Sequence, residues 1–227
     1  TGHALIGRRW PVSMMKQATD YMNAVRLLSG RGEVPTSERG KRRESQIIKV
    51  ATEQFLKLGY GDTSLDTISK LAGGSKTTLY RFFPSKADLF QSVVSSIVAN
   101  RQDIDLDPTA DIFSSLSEFG CRRLEVVFAK QHWSLLKLIH AEKDRFPRIA
   151  EAYYQLGPVY SRTLLTEYLS ELHESERLRI KNPEQSANFF TSMLMHEWYL
   201  KYLYTNDRFP SKDEMRQHSD FVATNFL

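Results

Sequence analysis

Hydrogen-bond donors and cations are concentrated in one short stretch of this sequence, residues 75–86 (SKTTLYRFFPSK). The apolar residues Leu79, Phe82 and Phe83 recur there at helical spacing and would face a core. The same helix would present donors on its other side: Lys76, Thr77, Thr78, Tyr80 and Arg81. Such groups bind the phosphate oxygens of DNA and the base edges in its major groove. The stretch therefore predicts a contact with nucleic acid.

A second helix and a tight turn must hold this stretch in place. Thr63 and Asp66 have the spacing of a capping box, so we expect a helix to begin at Thr63. Gly73 and Gly74 would end it, because glycine adopts left-handed dihedral angles at little cost. Ser75 would cap the next helix. Two short helices joined in this way form a helix-turn-helix, whose second helix lies in the major groove.

Positions of mixed chemistry around these helices agree in one register with a known pattern: Gly59-Tyr60, Thr63-Ser64-Leu65, Ile68, Ala72-Gly73, Ser75-Lys76 and 78–86. Over about 41–97 the chain thus resembles the DNA-binding domain of the TetR family of bacterial transcriptional regulators. Gly74 departs from the pattern, because the family usually has valine or a similar apolar residue there. A buried side chain of that kind contributes about 1 to 2 kcal/mol, so we expect a looser turn.

The resemblance implies roles for individual side chains. Four residues of the second helix would reach base edges: Lys76, Thr77, Thr78 and Arg81. Backbone phosphates would be held by six others: Lys41, Arg42, Arg43, Thr63, Tyr80 and Lys86. Lys86 begins a further helix, where a cation beside unpaired backbone N–H groups can hold a phosphate oxygen. For the run from Lys41 to Arg43, an ordinary solvated helix face is the alternative.

Charge is distributed unevenly along the 227 residues. Residues 1–100 contain 15 Lys and Arg against 8 Asp and Glu, whereas residues 101–227 contain 16 against 19. The first part therefore carries a net charge of +7 and the second −3. This distribution favours a polyanion-binding head attached to a body with another task.

Cysteine content and hydropathy limit where the protein can act. Cys121 is the only cysteine, which excludes an intrachain disulfide. We interpret it as a small buried hydrophobe, with a redox role as the alternative. No apolar run approaches the roughly 20 residues of a membrane span, and no leader is recognisable. The sequence therefore predicts a cytoplasmic protein without membrane contact.

Metal and catalytic patterns fail at defined positions. The aspartates of 103–107 could open a calcium loop, but such a loop needs glycine and glutamate where Pro108 and Ser114 stand. His196 lacks the second histidine of a zinc-protease motif, because Leu200 occupies that position. No glycine-rich phosphate loop follows a strand pattern. We therefore expect neither metal nor cofactor and no enzymatic activity.

Helical periodicity predicts an all-α fold in three parts. Residues 1–38 would form an N-terminal extension with one amphipathic helix, either an arm for DNA or a partner subunit or a loosely ordered tail. Residues 39–100 would form the helix-turn-helix domain. Residues 101–227 would form a helical bundle with breaks at the Pro147, Pro158, Pro183 and Pro210 steps. Within it, about 130–200 resembles the C-terminal domain of the AefR-like branch of the family, which implies ligand binding and dimerisation.

Aromatic residues and histidines of this body could line an apolar cavity with a few polar groups, the usual form of a small-molecule site. The candidates are Phe113, Phe128, Trp133, His140, Tyr153, Met193 and His196. Ordinary core packing is the alternative. We expect a small apolar effector because the family resemblance implies one.

The helices predicted over 158–177 and 183–204 are the candidates for a dimer contact. On the second helix apolar positions run nearly all the way round, a pattern typical of a helix buried on two sides. The interface would be formed by Leu165, Leu169, Leu172, Phe190, Leu194 and Trp198.

Together these features predict a homodimeric, ligand-responsive transcriptional repressor that binds a palindromic DNA operator. Two other classes stay open at this point. One is a small helical enzyme that acts on an apolar compound, and the other is a helical interaction protein whose basic head binds acidic protein surfaces.

Overall fold

The computed structural model describes residues 35–99, 106–205 and 208–227. Within these ranges the chain forms ten α-helices and no strands, which confirms the all-α prediction. The helices are α1 Glu38–Asp62, α2 Leu65–Leu71, α3 Lys76–Phe82, α4 Lys86–Ala99, α5 Ile112–Val127, α6 Lys130–Glu142, α7 Pro147–Tyr154, α8 Tyr160–Glu174, α9 Pro183–Tyr204 and α10 Lys212–Phe226. Most of the proposed N-terminal extension, including its amphipathic helix, lies outside the described residues.

Proline marks helix boundaries at two of the predicted steps. Pro147 and Pro183 occupy the first turns of α7 and α9, where the missing N–H would have no partner in any case. Pro158 behaves differently, because it lies inside a short π-helical turn, Gln155–Val159, that leads directly into α8. The predicted break is therefore a widened helical turn, a common way to accommodate proline without ending the helix.

Contacts divide the described residues into two units. The first contains 35–99 and 134–157, and the second contains 106–133, 158–205 and 208–227. Residues 134–157, which we predicted to belong to the C-terminal helical bundle, thus group with the helix-turn-helix. Leu135, Ile139 and Ile149 belong to the same core cluster as the apolar faces of α1 to α4.

Aromatic rings fill the centre of the first unit. Phe55 stacks on Tyr60 at 5.6 Å between ring centroids, and Phe90 meets Phe55 edge-on at 5.1 Å. Phe146 contacts Tyr60 from the second chain segment of the unit, at 4.7 Å. Tyr60 can reach these rings because α1 kinks at Gly59, whose φ of 86° lies in the left-handed region that favours glycine.

The predicted capping box at Thr63 is wrong. Ser64 caps α2, its hydroxyl accepting from the Asp66 amide at 3.2 Å. Thr63 is only 3% exposed, and its hydroxyl donates to the Gly59 carbonyl at 2.6 Å. The Thr63 side chain therefore provides a donor for a carbonyl at the Gly59 kink, where the regular helix is interrupted.

The turn between α2 and α3 ends α2 at the glycine pair, as the sequence predicts, and two backbone hydrogen bonds hold it, so it is not the looser turn that we expected from Gly74. Gly73 has a φ of 72°, and the Gly73 and Gly74 amides donate to the carbonyls of Lys70 and Ser69 at 3.0 and 3.1 Å. This pair of bonds is a Schellman motif, which ends a helix at a left-handed residue. The Ser75 hydroxyl then caps α3 by accepting from the Thr78 amide at 3.1 Å. Two helices of seven residues each are thereby fixed in a helix-turn-helix.

The second unit buries most of the residues that we assigned to a dimer interface, so that assignment is wrong in detail. Its core contains Leu165, Leu169, Leu172, Phe190 and Leu194, each 0% exposed. Trp198 is half-buried and stacks on His218 at 4.6 Å between ring centroids. These side chains pack α8 and α9 against their neighbours in the same chain, and they leave other residues of α9 on the surface.

Two further features follow from burial. Cys121 is 5% exposed, and this burial raises the pKa of its thiol, which disfavours the reactive thiolate. No helix among the described residues has both the length and the apolar composition needed to cross a membrane.

Candidate nucleic-acid interface

Helix α3 separates its apolar and polar residues as the sequence predicts. Leu79 and Phe82 are each 2% exposed and anchor the helix in the core of the first unit. On the outer side the structure exposes four of the predicted contact residues: Lys76, Thr77, Tyr80 and Arg81. Thr78 is half-buried, and its hydroxyl lies 3.0 Å from the Ser75 hydroxyl. Thr78 therefore supports the start of the helix as well as facing outward in part.

Two of the cations on α3 are oriented by neighbouring side chains. Lys76 forms an ion pair with Asp66 of α2. The Arg81 guanidinium lies over the Phe82 ring, 5.0 Å from its centroid. The Lys76 ion pair is at the surface, where ion pairs are weak and readily exchanged for contacts with a polyanion.

A basic cleft lies beside α3, between the turn and the start of α1. It has a volume of about 680 Å³ and is lined by Ser37, Arg39, Gly40, Arg42, Arg43, Gln46, Gly73, Gly74, Thr78, Arg81 and Phe82. Four of these residues are arginines, and none of the described lining residues is acidic. Guanidinium groups along a concave site favour phosphate, which accepts bidentate hydrogen bonds from arginine. The cleft is thus suited to hold a segment of nucleic-acid backbone.

The cleft changes the set of expected contacts. Arg39 and Gln46 line it although they were not among the predicted phosphate contacts. Arg39 begins the same basic run, so its charge could have identified it from the sequence. Gln46 has no feature in the sequence that indicates a phosphate contact. Lys41 is not among the described lining residues, and its ammonium group instead donates to Glu38 at 2.9 Å. The buried Thr63 side chain is directed inward, as described above.

Two predicted phosphate contacts are hydrogen-bonded within the protein. Arg43 is half-buried, and its Nη1 donates to the carbonyl of Ala72 in the turn. Lys86 donates from Nζ to the Gly61 carbonyl at 2.9 Å and lies 4.8 Å from the Tyr60 ring centroid. Partial burial lowers the pKa of Lys86, while the neighbouring carboxylates of Glu142 and Asp62 oppose that shift.

The Gly61 peptide links the two chain segments of the first unit. Its carbonyl accepts from Lys86, and its N–H donates to the Glu142 carboxylate at 3.0 Å. Glu142 ends α6, so this hydrogen bond ties the kinked end of α1 to residues 134–157, the second chain segment of the unit. The role of Lys86 visible in the structure is to hold this kink.

The structure does not bring the seven proposed pocket residues together. Phe128 and Trp133 are buried in one aromatic cluster of the second unit, with 5.8 Å between their ring centroids. Four others are exposed: Phe113, His140, Met193 and His196. Tyr153 is half-buried and belongs, like His140, to the first unit. The amphipathic pattern identified aromatic helix faces but could not tell which of them face inward.

The fold and the cleft together define a class of protein. A rigid helix-turn-helix presents donors on its second helix, arginines line a cleft beside it, and a separate helical unit follows in the chain. This arrangement is that of a DNA-binding regulator.

Comparison with known families is consistent with this class. Residues 47–93 match the family described as bacterial regulatory proteins, tetR family. Residues 114–227 match the family described as AefR-like transcriptional repressor, C-terminal domain. The chain therefore belongs to the TetR family of bacterial transcriptional regulators, as its sequence resemblance predicted.

Individual relatives agree with this assignment over most of the chain. The HTH-type transcriptional regulator YvkB of Bacillus subtilis, itself uncharacterized, is 25% identical over 77% of this chain and 91% of its own length. A TetR-family structure from Mesorhizobium loti has a TM-score of 0.73 at 26% identity, covering 84% of this chain and 98% of its own. The flavonoid-responsive regulator FrrA has a TM-score of 0.69 at 28% identity, covering 82% and 96% of the two chains.

Arg42 provides a test of the basic cleft, because it is exposed and lines the site. Arg42→Ala should weaken binding to any DNA duplex and lower the slope of log Kobs against log salt by about 0.9, the loss of one phosphate contact. Fluorescence anisotropy with a labelled random-sequence duplex at several salt concentrations measures that slope.

Lys57→Ala is the matched control for this charge. Lys57 is also exposed on α1, but it lies about 22 Å along the helix from Arg42 at 1.5 Å per residue. Its removal should leave the slope unchanged. Equal slopes for the Arg42 variant and the wild type would contradict a phosphate contact in the cleft.

Proposed function

We propose that this regulator is a ligand-responsive repressor that binds a palindromic operator as a homodimer. The observation that supports it best is the pairing of the arginine-lined cleft and exposed α3 with a C-terminal region similar to AefR-like repressors over 114–227. A repressor of this type occupies its operator without effector and leaves it when an effector favours another conformation. DNA binding and effector binding would then be reciprocal.

Contacts with the operator divide into two groups in this proposal. Lys76, Thr77 and Arg81 read base edges, because they are exposed on one side of α3. Arg39 and Arg42 in the cleft, together with exposed Tyr80 of α3, hold backbone phosphates beside them. Phosphate contacts give affinity for any sequence, whereas the α3 side chains give preference for one.

Lys76 distinguishes the two groups experimentally. In an electrophoretic shift with DNA flanking its own gene, the wild type should hold one fragment against excess random competitor. Lys76→Ala should cost about 1 to 3 kcal/mol on that fragment and little on random DNA. Equal losses on both would place Lys76 on a phosphate, and a wild type that shifts no fragment would contradict the proposal itself.

A dimer is needed because one helix-turn-helix reads only a few base pairs. Helix α9 offers the surface: Phe189, Met193, Leu200 and Tyr204 recur at helical spacing and are 62%, 39%, 42% and 80% exposed. On neighbouring α10, Phe221 is 65% exposed. Contacts of Phe190 with Phe226 and of Trp198 with His218 show that α9 and α10 are antiparallel neighbours.

This exposed apolar surface supports a two-fold contact in which α9 and α10 pack against their symmetry mates. Such a contact is isologous and forms a four-helix bundle, and it would cover side chains that are costly to leave in water. The all-round apolar pattern of α9 is then explained by burial of one side within the chain and of the other against a partner.

Charged substitutions on this surface test the dimer. Met193→Glu combined with Phe189→Glu should give monomers that keep the wild-type circular dichroism, because both side chains are exposed. Leu58→Glu is the control, since Leu58 is 45% exposed on α1. Analytical ultracentrifugation should give twice the 26.2 kDa chain mass for the wild type and the control. A double variant that remains dimeric would exclude this surface.

An apolar effector is the second component of the proposal. The similar regulator FrrA is described as flavonoid-responsive. In the second unit of this chain, Phe128 contacts both Trp133 and Trp198, at 5.8 and 5.9 Å between ring centroids. Aromatic side chains of this kind stack favourably on planar apolar ligands.

Tryptophan fluorescence reports on effector binding to this cluster. A Trp10→Phe variant leaves Trp133 and Trp198 as the two fluorophores. A flavonoid that binds should quench them, raise the melting temperature and weaken operator binding, because linkage couples these effects. The corresponding flavonoid glycosides serve as bulky polar controls. If no compound of a planar apolar panel does all three, the aromatic cluster is packing only.

A further inference from the structure

Position 74 has no side chain, and an arginine from another helix occupies the adjoining space. A Cβ atom built on Gly74 would lie 2.8 Å from Cζ of Arg43 and closer still to its Nη2. Carbon atoms do not approach so closely, so any side chain at position 74 would have to displace the guanidinium. The backbone of Gly74 donates its N–H to Ser69 and accepts from the Ser69 hydroxyl at 2.9 Å, which keeps the residue against this group.

The guanidinium is also hydrogen-bonded to the end of α2. Nη1 of Arg43 donates to the carbonyl of Ala72, the C-cap residue of that helix. Carbonyl groups in the last turn of a helix have no partner within it, and a cation there also interacts favourably with the helix dipole. Arg43 therefore caps α2 from α1, 29 residues away in the sequence.

We infer that Arg43 is a positioning residue for the recognition helix α3. We also infer that Arg43 and Gly74 act as a pair, in which either the Arg43 guanidinium or an apolar side chain at position 74 can fill the same space. The guanidinium fills the space that an apolar side chain at position 74 would fill, and it ties the turn to α1. The turn begins at Ala72, and α3 begins at Lys76, so an error in the turn changes the pose of every side chain on α3. This inference rests on the proposed operator binding.

The pairing predicts that Arg43 contributes to sequence preference and not to the count of phosphates neutralised. A phosphate contact would lower affinity for all duplexes and change the salt slope. A positioning residue would lower affinity for the preferred sequence alone, because base contacts depend on geometry more strictly than charge does. The two roles are therefore separable by measurement.

The test uses five full-length chains: wild type, Arg43→Ala, Gly74→Val, the double variant of these, and Arg42→Ala. Each is titrated with two duplexes, one selected from a randomised library with the wild type and one of random sequence. The salt slope on the random duplex, the ratio of the two affinities and the melting temperature are measured for each chain.

Arg43→Ala should lower the affinity ratio by about tenfold while its salt slope equals that of the wild type. In Gly74→Val the guanidinium, displaced from the Ala72 carbonyl, should become available to a phosphate in the cleft that Arg43 lines, and should steepen the slope by about 0.9. The double variant should recover the wild-type slope, and its affinity ratio should return to within about twofold of the wild type. Arg42→Ala should instead lose slope without losing the ratio.

Two results would overturn the inference. In the first, Arg43→Ala lowers the salt slope and loses affinity equally for both duplexes. That result would make Arg43 a phosphate contact. In the second, the double variant has the melting temperature of the wild type but keeps the low affinity ratio of Arg43→Ala. If Arg43→Ala alone is unfolded, the ratio of the double variant decides in the same way. A wild type that selects no duplex would contradict the proposed function, a result distinct from these two.

Discussion

The proposed DNA binding depends on holding the seven-residue helix α3 in one orientation. A helix as short as α3 is not stable alone in water, because nucleation is costly and few hydrogen bonds repay it. Its stability comes from Leu79 and Phe82 in the core, the Ser75 cap and the Schellman turn before it. The aromatic cluster around Tyr60 supports that core from behind, and residues 134–157 complete it. The proposed DNA-reading surface is thus a product of tertiary packing.

Basic residues in the first unit serve two purposes that look alike in sequence. Arg39 and Arg42 line an open cleft, where we propose that their charge attracts the DNA backbone. Arg43 and Lys86 donate to backbone carbonyls of Ala72 and Gly61. These carbonyls lie at a helix end and beside a glycine kink, where the backbone lacks its own partners. Some of the basic residues of the first unit therefore stabilise its backbone, and the others provide the positive charge of the cleft.

The second unit shows how one helix can be apolar on two sides for different reasons. Ala187, Phe190 and Leu194 of α9 are fully buried within the chain, while Phe189 and Met193 are exposed between them. The first set supplies the hydrophobic free energy of folding. The second set is exposed, as is Phe221 of neighbouring α10, and these side chains are the ones proposed for association. In the first unit, by contrast, the hydrogen bond from Gly61 to Glu142 joins residues 134–157, which follow α5 in the sequence, to the end of α1.

The sequence by itself determined the helix-turn-helix, the donors on α3 and the all-α fold. These features depend on local rules: cap residues, a glycine pair and apolar spacing act over a few residues. It also predicted that the chain would belong to the TetR family. Only the tertiary structure decided that Arg43 and Lys86 bond to carbonyls 29 and 25 residues away, and that Leu165, Leu169 and Leu194 are core. Periodicity shows that a helix has an apolar or basic face, but the partner of that face is set by chain segments distant in sequence, which no local pattern contains.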